Sequence, residues 1–195
     1  MGDGEQLCRV HGQVRCGETK TRTIAPLLCQ YAALLAPAIT PRIAELGPAS
    51  KRIILRMLGF AGPGFEAAIA EQLGSGDEQT DREALRALAR IGTIRAATIV
   101  ANALREGSAG GRAAAEEALW HLPPAQAAAQ LRDLLASRDF VVRNPQVAVR
   151  LIERAGQSGT EGLGPALAAL VSLRFRFWNP PIVRVARKAR ELLSR

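Results

Sequence analysis

The chain has 195 residues, which suffices for one ordinary domain or for about five or six helix pairs of a repeat array. Apolar residues make up 48% and aromatics 4%, so alanine, leucine and isoleucine must build the core; three cysteines are too few for a disulfide framework, and strand-type alternation is almost absent. The net charge of +8 is uneven: residues 1–64 hold 8 basic and 4 acidic side chains, residues 65–131 hold 6 and 9, and residues 132–195 hold 12 and 5. A basic final third attracts nucleic acid, acidic protein or anionic lipid, and equally serves as a solvated arginine-rich surface.

Residues 1–21 are polar, with few large apolar groups and no helical stripe, which predicts a flexible tail and no signal peptide. Within it Cys8, His11 and Cys16 have zinc-ligand chemistry, but a structural site needs a fourth ligand. Position 19 is Thr19, and Cys29 reaches the group only if the chain folds back, so the expectation is no metal and no cofactor. Cysteine usage fits a reducing cytoplasm. Residues 23–41 carry no charge and approach membrane-spanning length, yet contain Pro26, Pro37, Pro41, Gln30 and Tyr31; no membrane span is expected.

From residue 22 onward the sequence repeats. Arg22, Arg52, Arg82 and Arg112 are 30 residues apart, and Arg143 follows at 31. Three residues after each of the first four stands Ala25, Leu55, Leu85 or Ala115, and six after stands Leu28, Leu58, Leu88 or Ala118. That stripe predicts the buried face of a first helix. Each unit then breaks at "LLAP", "GFAGPG", "RIGT" or "HLPP", with Pro63, Thr93 and Pro123 in register. A second helix follows, carrying Ile39, Ile69, Ile99 and Ala129 at the same interval and closing near Leu46, Leu73, Leu104 and Leu134.

The last third stretches the unit. Asn144 and Pro145 open one helix, Asn179 and Pro180 open another 35 residues later, and "TEGLGPALAALVSL" lies between them as a second helix. Residues 22–195 therefore resemble the short HEAT-like repeats of about 30 residues that are also seen in phycobilin lyases. The resemblance rests on Arg82, Ala84, Leu85, Leu88, Ile91 and Gly92 followed by "AATIVANAL". It implies an all-α fold: a right-handed α-solenoid of about five to six helix pairs with an atypical C-terminal capping unit. Pro26 and the alanines of the Arg112 repeat depart from the pattern.

The arginine ladder reads first as repeat-to-repeat bonding through the guanidinium fork, and otherwise as a phosphate site. A second ladder, Arg42, Gln72, Asn102 and Arg132, lies at the edge of the second-helix stripe; the resemblance would put it on a concave surface as a polar binding track. At the C-terminal end Arg174, Arg176 and Trp178 interleave with Phe175 and Phe177, and Arg184, Arg187, Lys188 and Arg190 ride the polar side of the last helix. Such a cap either plugs the core or grips a partner. His11 and His121 belong to no catalytic constellation, and no phosphate-loop, dinucleotide or nucleophile-elbow motif occurs. Trp120, Trp178 and Asp139 do not reproduce the tryptophan cluster with an acidic residue that HEAT-like alkyl-purine glycosylases share. The reading is a non-catalytic binding scaffold or assembly subunit for a protein partner. The alternatives are nucleic-acid binding through the basic third and a HEAT-fold enzyme of the glycosylase or bilin-lyase kind.

Overall fold

The computed structural model describes residues 31–158, 160, 162–172 and 180–194. The tail at 1–21, with Cys8, His11 and Cys16, lies outside the described residues, as do Arg22, Pro26, Cys29, Arg174, Arg176 and Trp178. Every element among the described residues is helical. Residues 31–39 form α1, which runs into a 3-10 helix at Thr40–Glu45. Then follow α2 (Pro48–Ala61), α3 (Glu66–Ala70), α4 (Glu78–Ile91), α5 (Ile94–Glu106), α6 (Ala109–Leu119) and α7 (Pro124–Ala136). The final set is α8 (Arg138–Arg143), α9 (Pro145–Gln157), α10 (Gly164–Ser172) and α11 (Pro180–Leu193).

Local chemistry sets these boundaries. The side chains of Asp77, Thr93, Ser108 and Ser137 accept backbone N–H bonds at the starts of α4, α5, α6 and α8, satisfying donors that a helix start leaves open. Prolines at the first turns of α2, α7 and α9 cost no bond, because those N–H groups have no helical partner. Gly92 ends α4 at φ 64°, a left-handed cap that favours glycine. A Cβ there would also come within 2.8 Å of the Pro123 ring, so the break after α4 rests on the break before α7.

The apolar stripe packs as its spacing predicts. Leu55, Leu58, Leu85, Leu88, Ala115 and Ala118 are all buried, on α2, α4 and α6. Each large member contributes about 1.5–3 kcal/mol by leaving water. α2 packs on α4 and α4 on α6; in parallel α3 packs on α5 and α5 on α7. Further along, α7 packs on α10 and α9 on α11, while α8 touches both α7 and α9. Small residues allow close approach: a Cβ on Gly59 of α2 would come within 2.8 Å of the Ala87 Cα of α4.

Three sequence expectations need correction. "LLAP" does not break the first unit, because residues 31–39 remain helical through Pro37 and the chain then tightens into the 3-10 helix. The helix carrying Ile69 stops at Ala70, well before Leu73. Its start is delayed because Gly64 has φ 110°, which no helix accommodates, and the chain then turns through Gly74 and Gly76 at φ 76° and 86°. Thirdly, a separate short helix, α8, for which the repeat pattern makes no place, stands before the helix that Asn144 and Pro145 open.

Candidate interaction surface

The 30-residue register that buries leucines also repeats a second set of side chains, one helical turn apart. α2 carries Arg56 and Phe60, α4 carries Arg86 and Arg90, and α6 with its C-terminal residue carries Glu116 and Trp120. The next long helix, α9, continues 34 residues later with Arg150 and Arg154. Residues four apart share a helix face, so these eight side chains form two rungs across four helices. Arg56, Arg86, Glu116 and Arg150 make the first rung; Phe60, Arg90, Trp120 and Arg154 make the second.

The side chains on the rungs reach between helices. The Arg90 guanidinium lies 4.7 Å from the Phe60 ring centroid, and that of Arg154 lies 5.1 Å from the Trp120 ring. Arg56 donates to the Glu83 carboxylate at 2.8 Å, and Arg86 approaches the same oxygen at 3.9 Å. Arg86 also donates to Glu117 at 2.9 Å. Arg150 grips Glu116 with two nitrogens, its shortest bond 2.7 Å. That fork-on-carboxylate pairing joins α6 to α9.

Charges respond to these neighbours. The hydrogen bond from Arg86 holds the Glu117 carboxyl below the usual range against the opposing effect of burial. Glu116 raises the Arg150 guanidinium. Arg90 shifts down: its own desolvation dominates, Glu83 opposes it, and Arg56 and Arg86 add like-charge repulsion. Arg90 makes no ion pair among the described residues, and Phe60 beside it is 40% exposed.

The side chains singled out from the sequence behave differently from one another. Arg52, of the first ladder, bonds Asp77 of the following unit at 3.2 Å, as repeat-to-repeat bonding requires. Arg82 leaves its buried Nε without a partner. Of the proposed concave track, Arg42 sits in the 3-10 helix paired with Glu45 at 3.6 Å, Asn102 accepts a bond from Arg105, and Arg132 lies 3.8 Å from Asp133. Gln72 is buried in the turn after α3 and breaks the line of exposed polar groups.

On α11, Arg184, Arg187 and Arg190 are exposed, Arg187 lying 3.8 Å from Glu191 of the same helix, and Lys188 is not a free cation. It bridges Glu191 at 3.0 Å and Glu153 of α9 at 3.3 Å, and these two carboxylates raise its ammonium group. The same residues, with Ile152, Gly156, Gln157 and Leu192, line a groove of about 330 Å³ between α9 and α11. No helix among the described residues is long and apolar enough to cross a membrane.

The rungs were legible in the sequence. Arg56 and Arg86, and Phe60, Arg90 and Trp120, recur at the interval that exposed the leucines. A search for the apolar stripe passes over them, because it reads only the face turned inward. Comparison with family models, with curated proteins and with solved structures yields no match to this chain.

Proposed function

We propose that the chain is a non-catalytic binding scaffold: a right-handed α-solenoid of HEAT-like repeats that offers a continuous helical surface to a protein partner. The observation that carries this reading is the double rung of Arg56, Arg86, Glu116 and Arg150 above Phe60, Arg90, Trp120 and Arg154. Packing between near neighbours in sequence, α2 on α4 on α6 beside α3 on α5 on α7, supports the repeat architecture. The few residues that dominate binding energy at protein interfaces are enriched in arginine, tryptophan and tyrosine, and a solenoid displays its side chains in rows.

Two measurements on the purified full chain test the proposal. Small-angle X-ray scattering should give an elongated, curved envelope; a spherical one removes the solenoid. Crosslinking in cells followed by mass spectrometry should recover one protein partner whose crosslinks map to the rungs or to α11. Recovery of nucleic acid instead, with affinity falling steeply as salt rises, would favour the second reading. That reading draws on the 12 basic against 5 acidic residues of 132–195 and on the exposure of Arg184, Arg187 and Arg190.

A further inference from the structure

We infer that the face formed by Arg56 and Phe60 of α2 with Arg86 and Arg90 of α4 takes an acidic segment of the protein partner, one carboxylate seating among the guanidinium groups and one apolar side chain lying on Phe60. The inference rests on the scaffold reading above and specifies which part of the surface is used and by what chemistry.

Charge complementarity is the argument. Three guanidinium groups converge here on two carboxylates. Glu83, its side chain only 8% exposed, is shared by Arg56 and Arg86, and Glu117 bonds Arg86. One positive charge is left over, and the contacts assign it to Arg90, which lies against the Phe60 ring and forms no ion pair with the nearby Glu83. Arg90 is also partly desolvated and repelled by Arg56 and Arg86, so an incoming carboxylate would meet a cation that has already given up part of its hydration. Phe60 extends the spot with exposed apolar surface. An anchor of this composition, a ring with guanidinium groups around it, is the kind that carries binding energy at interfaces.

A nucleic acid fits the same place poorly. A phosphate backbone needs an extended stripe of positive charge, whereas Glu83, Glu116 and Glu117 interrupt this face and residues 65–131 carry 9 acidic against 6 basic side chains. A short segment with one or two carboxylates avoids those glutamates. A rod of phosphates would run over them.

Fluorescence anisotropy with a labelled peptide of repeating Glu-Glu-Phe, titrated with the full chain, tests the inference. The wild-type protein should bind it, and a Gln-Gln-Phe peptide should bind about tenfold more weakly, the usual scale for losing a hydrogen bond to a charged group. Arg90→Gln and Phe60→Ala should each weaken binding by about tenfold, while Arg138→Gln, at an exposed position on α8, should leave it unchanged. Circular dichroism establishes that each variant is folded, and Arg90→Lys, which keeps the charge, should recover part of the affinity. Equal binding of the two peptides, or wild-type affinity in Arg90→Gln, overturns the inference; so does tighter binding of a single-stranded oligonucleotide of the same charge that is lost in Arg90→Gln. If a crosslinked protein partner is found on α11 while the peptide fails, the scaffold reading stands and this one falls.

Discussion

Glu66 opens α3 and spends its carboxylate on other segments. One oxygen accepts from the Thr93 hydroxyl at 2.9 Å and the other from the Gly64 N–H at 2.9 Å, so one side chain ties the start of α5 to the loop before α3. Burial pushes its carboxyl up, but these bonds and that from its own backbone N–H, with Arg95 nearby, hold it below the ordinary value of 4.5. A depressed folded-state pKa contributes stability that is complete above about pH 4.5 and is lost as pH falls through the folded value. Glu66→Gln should therefore cost about 1–2 kcal/mol at pH 7, the scale of a charge-assisted bond in a half-dry site. The gap between wild type and variant should close as pH falls through the depressed folded-state value, below which both side chains are neutral. Urea unfolding at several pH values reads this directly. No sequence pattern marks the role: Glu66 stands outside every 30-residue ladder, and its partners are 27 and 2 positions away.

For whole helices, the sequence was informative wherever burial and periodicity coincide. Leu55, Leu58, Leu85, Leu88, Ala115 and Ala118 were identifiable as core because a helix facing its neighbour must repeat apolar residues at that spacing. Helix ends were harder. α3 is short because Gly64 before it and Gly74 and Gly76 after it adopt positive-φ backbone, a decision of individual residues that no stripe records. The contact between α2 and α4 also depends on one residue the stripe omits, Gly59, against Ala87. Gly59→Ala should gain helix propensity yet force the helices apart, for a net loss of about 1–3 kcal/mol. Gly164→Ala, where an added Cβ meets nothing within 4 Å, should be neutral or gain up to about 1 kcal/mol. Thermal unfolding of the two variants side by side checks the pair. A lower melting temperature only for Gly59→Ala is expected, and equal shifts would refute the close-contact account.

Across the molecule, the candidate surface was half visible in advance. α11 was singled out for its arginines, and three of them are exposed; Lys188 is instead tied to Glu153 and Glu191, a link between helices that are 35 residues apart in sequence. Position along the helix distinguished apolar from polar, but not paired cations from unpaired ones. Pairing depends on what the neighbouring helix presents, and the short helix α8 shifts that register, so that the rungs step by 34 residues from α6 to α9 instead of 30.

The short helix α8 has a mechanical consequence. Insertion of α8 separates α6 from α9, so their backbones lack the close packing that joins α2 to α4, and the Arg150–Glu116 and Arg154–Trp120 contacts bridge the interval with long side chains. On the opposite side α7 still packs on α10. One side is packed and the other is bridged by long side chains, so this joint should be more compliant than the contact between α2 and α4. Paired spin labels make the compliance measurable once the three cysteines are replaced by serine. Labels at the exposed positions Ala49 and Gln79 report on α2 and α4, and labels at Ala113 and Gln146 report on α6 and α9. The second distance distribution should be the broader, and Arg150→Ala should broaden it further while leaving the first unchanged. A partner that bridges the joint would then register as a narrowing of that distribution, through the stiffness it imposes.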